Sequence, residues 1–323
     1  MSASHDTTQS TVKANLKDAL WRWLDTNPSS SNSHMDSVDP KQVDWLRVIP
    51  FVAIHLGCLG VLWVGWSPFA VVVAALLYLT RMLAITGFYH RYFSHKSFKT
   101  SRTMQFIFAL LGASAAQRGP LWWASHHRHH HIHSDREADV HSPKQHGFLW
   151  SHLGWFTSKA NFPIKEDRIP DLRNFKELQW LDRYDAVVPL LLAVSLFAIG
   201  AFLEYAAPSL GTSGAQLLVW GFFISTVFLY HATYTVNSLA HRFGRRRYNT
   251  KDDSRNSFLI ALLTCGEGWH NNHHHYPGSV RQGFFWWEID LTYYFLKTLA
   301  SLGLIWDLKH VPIEIKNSRL ITK

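Results

Sequence analysis

Cysteine is nearly absent from this 323-residue chain. Its two cysteines are Cys58, inside an apolar run, and Cys265. That excludes a disulfide framework and a cysteine-based metal site. Charge is scarce too: 17% of residues are charged against 47% apolar, a mix foreign to a soluble globule. No positive stretch leads into a short apolar one, so no secretory signal is expected. No internal repeat is present. No basic stretch matches a nucleic-acid-binding module, so nucleic acid is not expected as a partner. The net charge of +9 then points to an anionic membrane face or an anionic ligand.

Aromatic residues are abundant at 15%, with 15 Trp, as suits a chain with long membrane interfaces. Residues 1–40 are rich in Ser, Thr, Asn and Asp and read as a disordered polar tail, with a short amphipathic helix over 14–24. Four apolar runs, about 48–66, 69–88, 187–205 and 215–236, are long enough to span a bilayer. The turn Ser67-Pro68 pairs the first two into a hairpin, and the uncharged loop 206–214 pairs the others. Neither loop holds Lys or Arg, so the positive-inside rule places the termini and the long segments 89–186 and 237–312 in the cytoplasm. Arg81 interrupts the second run and requires either a snorkelling position or a partner. The run 104–117 is too short to span and reads as an interfacial or protein-buried helix. Residues 284–306 carry Glu288, Asp290 and Lys297 among aromatics and read as an amphipathic surface helix.

Histidine dominates the polar segments. His90 and His95 follow the second run directly. His127, His130 and His131 lie in a tract that packs six histidines into residues 126–133. Asn237 and His241 close the fourth run, and His270, His273 and His274 lie further on. On a helix, positions i, i+3 and i+4 share a face, which fits both triplets and the Asn237–His241 pair. His90 and His95 are five apart, and face one ion only if the helix ends or twists between them. Nine imidazoles and one amide exceed one ion of four to six ligands and suit two. Zinc is satisfied with four ligands, so an all-imidazole dinuclear site points to a redox metal, iron. His55, His152 and His231 are isolated and read as structural. His126, His129, His133 and His275 stand off the spacing, as supporting groups. A nonspecific histidine-rich tract is excluded, because the clusters are dispersed, have helical spacing and each abut an apolar run.

These residues resemble the membrane fatty-acid desaturases, and within them the acyl-CoA delta-9 (stearoyl-CoA) branch. The H-x4-H box appears as His90-Arg91-Tyr92-Phe93-Ser94-His95, and H-R-x-H-H as His127-Arg128-His129-His130-His131. The N-S-x-x-H element appears as Asn237-Ser238-Leu239-Ala240-His241. The last box is Gly266-Glu267-Gly268-Trp269-His270-Asn271-Asn272-His273-His274. The likeness runs from about residue 48 to 312. It implies an all-α integral membrane fold: four transmembrane helices in two hairpins, with a cytosolic helical cap over 89–186 and 237–312. The desaturase domain then covers 41–312, with a C-terminal tail at 313–323. It further implies two irons held by the nine histidines, with Asn237 reaching one through water, and O2 as co-substrate. The implied reaction removes two hydrogens from a saturated acyl-CoA chain to leave a cis double bond, at delta-9 geometry. The resemblance assigns the acyl tunnel to Tyr78, Met82, Thr86, Gln117, Trp123 and Thr233. Tyr78 and Met82 close its far end, so a bulky pair there implies palmitoyl-length or shorter chains.

No fused electron carrier is evident. A separate donor is implied, a b5-type cytochrome, ferredoxin or rubredoxin-like protein with its reductase. The resemblance places such a chain in a bacterial inner membrane. Rival readings are an acyl-lipid desaturase of the same fold and a membrane di-iron hydroxylase or alkane monooxygenase. A metal transporter or sensor would need ligands within the spans.

Overall fold

The computed structural model describes residues 21, 23–26 and 39–321. The expected disordered tail and its amphipathic helix lie, apart from these few positions, outside the described residues.

The chain is mostly helical. Among the described residues, four helices are long and apolar enough to cross a membrane: α1 Trp45–Val64, α2 Pro68–Ser94, α6 Val187–Ala206 and α7 Gly214–Ser238. Their outward residues are apolar and uncovered, with Trp63 80% and Tyr205 89% exposed. Between and after them lie α3 Arg102–Ala113, α4 Pro120–His133, α5 Lys176–Arg183, α8 Phe258–Leu263, α9 His270–His275 and α10 Leu291–Ser301. Among the described residues one pair of two-residue strands, β1 Lys99–Thr100 and β2 Ile305–Trp306, runs antiparallel with Lys99 opposite Trp306.

Local chemistry sets the helix ends. Ser67 caps α2 by accepting from Ala70 N at 3.1 Å, with Pro68 in the first turn, where its missing N–H costs nothing. Gly65, at φ +61° and ψ −148°, makes the sharp turn before it, a conformation that L side chains rarely adopt. Pro50 inside α1 cannot donate to the carbonyl one turn back; that Leu46 oxygen accepts from the Trp23 indole instead, at 2.7 Å. Arg81 is fully buried in α2. Its guanidinium donates to Thr226 Oγ1 at 2.7 Å and to the Ser225 hydroxyl, both on α7, so hydroxyls serve as its partners at depth.

The run expected to stop near 88 continues. From Ala84 to Ser94, α2 is a π-helix, packed against α3 and α4. The expected surface helix over 284–306 shrinks to α10, and its acidic residues are not on the surface. Glu288 and Asp290 are 0% exposed. Asp290 caps α10 through Tyr293 N at 2.9 Å and pairs with Arg91 Nη2 at 2.9 Å, while Glu288 accepts from Asn272 Nδ2 at 2.9 Å and pairs with Arg247. Buried carboxylates hold their charge only against such partners, which a helical periodicity cannot reveal.

Candidate metal centre

The π-helix solves the spacing problem of the first box. Its hydrogen bonds run five residues back, and His95 N donates to His90 O at 3.2 Å. Residues five apart therefore stack on one face, and the two rings lie with centroids 4.8 Å apart. In α4, ordinary helical spacing brings His127 Nε2 and His131 Nε2 within 3.0 Å. Arg128, between them, points away and donates to Ser94 O and Arg168 O, each at 2.9 Å, while its other end pairs with Asp171. It thus ties α4 to the end of α2, which carries the other two histidines.

Two groups of imidazoles result. His90, His95, His127, His131 and His273 offer ring nitrogens that all lie within 4.8 Å of one another, and so do those of His130, His241, His270 and His274. All nine histidines singled out by spacing fall in these two groups. Asn237 lines the same cavity as His130 and His270. His126, His129 and His275 do not join them: their Nε2 atoms meet the carbonyls of Pro163 at 3.0 Å, Ala138 at 3.0 Å and Ile315 at 2.8 Å.

The carboxylates behind these rings were not legible from spacing. His90 Nδ1 lies 2.5 Å from Glu267, His130 Nδ1 3.0 Å from Asp139, His241 Nδ1 2.7 Å from Asp135 and His274 Nδ1 2.9 Å from Asp252. A carboxylate accepts a hydrogen bond from Nδ1–H, which fixes the tautomer and leaves the Nε2 lone pair free for a metal. Only Glu267, inside the last box, and Asp135 and Asp139, just after the second, left a sequence signal; Asp252 left none. His141 was also missed. It forms a third group with His130 and Asp139, and its buried Nδ1 has no hydrogen-bond partner.

Electrostatics match this role. Burial, reinforced by neighbouring imidazoles, holds His95, His127, His131, His270 and His273 well below the ordinary 6.5, so the rings are neutral and able to ligate. Burial pushes Asp139 and Asp252 up, but their imidazole partners outweigh it and hold both well below the usual carboxylate range. Successive Nε2 atoms approach at 2.8 Å (His95 to His127), 2.9 Å (His131 to His273) and 3.1 Å (His273 to His90). Such distances are met either by an N–H···N bond or by a shared cation, and the buried His274 Nε2 has no hydrogen-bond partner among the described residues. The residues fit two cations.

An apolar cavity of about 630 Å3 adjoins both groups. Of the predicted tunnel residues, Thr86, Gln117, Trp123 and Thr233 line it. Gln117 Nε2 donates to Thr233 Oγ1 at 2.9 Å, and the Trp123 ring stacks on His127 at 5.0 Å. Tyr78 and Met82 are not among its lining residues. The Tyr78 hydroxyl turns to Leu263 O, Met82 is packed in the core, and Thr86 Oγ1 bonds Thr292 Oγ1 at 2.7 Å ahead of them.

A family model described as Fatty acid desaturase matches residues 46–301. The sn-1 stearoyl-lipid 9-desaturase of Anabaena variabilis is 37% identical over 271 residues, covering 83% of this chain and 94% of its own. An enzyme of the same description from Synechocystis sp. is 39% identical over 274 residues, covering 83% and 81%. The icosanoyl-CoA 5-desaturase of Limnanthes douglasii is 34% identical over 285 residues, covering 87% and 76%.

Proposed function

The chain belongs to the fatty acid desaturase family, and on that premise we propose that it introduces a cis double bond, at delta-9 geometry, into a saturated acyl chain at a di-iron centre. The observation that carries this reading is the two imidazole groups, four of whose rings are fixed at Nδ1 by carboxylates, beside a largely apolar cavity. The net change takes two hydrogens from adjacent methylenes and, with O2, two electrons and two protons, releases two waters. Two irons, when bound, would supply the redox chemistry that such unactivated C–H bonds demand. His90, His95, His127, His131 and His273 would hold one, and His130, His241, His270 and His274 the other, with Asn237 reaching it through water.

The protein's own part is positioning. Trp123 lines the cavity with its ring stacked on His127, and the Gln117–Thr233 bond ties another part of the same wall. We read 41–312 as one domain, with the spans as two hairpins and the remaining segments as a cap on the cytoplasmic side. An electron donor would dock on that side, where Arg245 and Lys251 are exposed. The resemblance implied a CoA carrier, and the +9 net charge suits CoA and anionic lipid alike; Arg245, Arg246 and Arg247 line a separate pocket with Trp269 and Trp287.

The test is product analysis by mass spectrometry with the iron-loaded protein, a reduced donor and O2. Chains lighter by two hydrogens are expected. Hydroxylated chains would replace this reading with the hydroxylase one.

A further inference from the structure

The short helix α8 lies at membrane depth without crossing. The Tyr78 hydroxyl donates to Leu263 O at its end. Tyr78 stands roughly 15 Å along α2 from Pro68, half the thickness of a hydrocarbon core of about 30 Å. Ser257 N, just before α8, donates to Gly268 O at 2.8 Å, so the chain returns to the level from which α8 starts. The outward residues of this loop are apolar. Phe258, Leu259 and Leu262 are exposed, Leu259 at 65%, and Trp286 at 81%, Trp287 and Ile289 stand exposed nearby in sequence to the buried Glu288. Such a strip facing water is a liability, whereas in a bilayer it is covered.

Phe258 and Trp287 are also walls of the pocket lined by Arg245, Arg246, Arg247, Trp269 and Glu288. This pocket shares no lining residue with the acyl cavity. Among the described residues its lining sets three guanidinia against one carboxylate, Glu288, which pairs with Arg247. Arg246 donates to Thr250 O and Asp252 O, each at 2.9 Å; these carbonyls orient the guanidinium without neutralising it. Arg245 is exposed, and its backbone is locked to that of Asn256 by paired hydrogen bonds of 2.9 and 2.8 Å. Planar guanidinia match the oxygens of a phosphate two at a time, and indole rings favour the head-group level of a bilayer.

We propose that this pocket binds the head group of an anionic glycerophospholipid, whose acyl chains lie along Phe258, Leu259 and Leu262. The lipid is a bound companion of the fold and not the substrate. Basic pockets beside membrane-embedded helices recognise lipid head groups by this charge pairing. Occupancy reaches the support of the metal centre. Asn256 lines the pocket, and its Oδ1 accepts from Asn271 N at 2.9 Å and Asn272 N at 3.1 Å, in the helix that carries His270, His273 and His274. Bound lipid therefore steadies α9.

The experiment follows thermal unfolding of the full-length, iron-loaded protein in neutral detergent against added phosphatidylglycerol, phosphatidylcholine or glycerol 3-phosphate. Phosphatidylglycerol should raise the melting temperature saturably, and the other two should not. Arg245→Glu and, separately, Leu259→Asp should each raise the half-saturating phosphatidylglycerol fraction about tenfold or more. Lys176→Glu, an exposed cation on α5 outside the pocket, should not. Equal stabilisation by phosphatidylcholine would show general solvation, and by glycerol 3-phosphate a site for soluble anions; either overturns the proposal. So does an Arg245→Glu protein that keeps the lipid response and only accepts electrons more slowly, which would assign the arginine to the donor.

Discussion

His127 and His129 stand two positions apart on α4 and do different work. One ring sits among four other imidazoles; the other spends its Nε2 on the Ala138 carbonyl. Alanine at His127, His130, His131, His270, His273 or His274 should therefore abolish unsaturated product and remove metal. Alanine at His126 or His129 should keep most of both, as gas chromatography of cell lipids and elemental analysis will show. Equal sensitivity of His129 would mean the wrong face of α4 had been assigned. The carboxylates behind the rings make a second residue-scale prediction. Asp139→Asn and Asp252→Asn keep shape but remove the acceptor charge that fixes the His130 and His274 tautomers. Each should weaken metal binding about 10- to 100-fold in a competitive chelator titration, with the fold intact by circular dichroism. Unchanged affinity would reduce these pairs to packing.

At the scale of elements, α2 joins two tasks. Its straight part runs through the bilayer-facing layer, and its π segment turns His90 and His95 onto one face. Met82 and Thr86 form a stripe leading to His90. Thr86 lines the cavity and Met82 lies one turn behind it, fully buried. Met82→Ala should free volume behind Thr86 and shift the product toward longer chains, at a stability cost of about 2–5 kcal/mol. The chain-length profile of the lipids reads this directly. An unchanged profile with activity intact would place the cavity's end at the Thr86–Thr292 bond alone.

The whole molecule gathers many neutral imidazoles in one buried centre, and this couples its stability to pH. In the fold, burial keeps His95, His127, His131, His270 and His273 unprotonated well below 6.5; in the unfolded chain they take up protons at that ordinary value. The unfolded state thus binds more protons below 6.5, so stability is full above that pH and falls beneath it. The slope approaches about 1.4 kcal/mol per pH unit for each imidazole. Chelator-treated protein in detergent should melt at lower temperature at about pH 5.5 than at about pH 7.5. A melting temperature indifferent to pH would show that the rings are not held neutral.

Sequence alone determined the four apolar helices and the nine histidines, because hydropathy over twenty residues and helical spacing are local properties. It also marked the obstacle at His90 and His95, five residues apart, without revealing its solution. Only the tertiary structure decided the rest. The π-helix forms where α2 packs against α3 and α4. The carboxylates come from segments as far apart as Asp135 and His241, which no periodicity joins. Glu288 and Asp290 read as surface residues and proved buried, since the arginines that neutralise them lie dozens to hundreds of positions earlier in the chain.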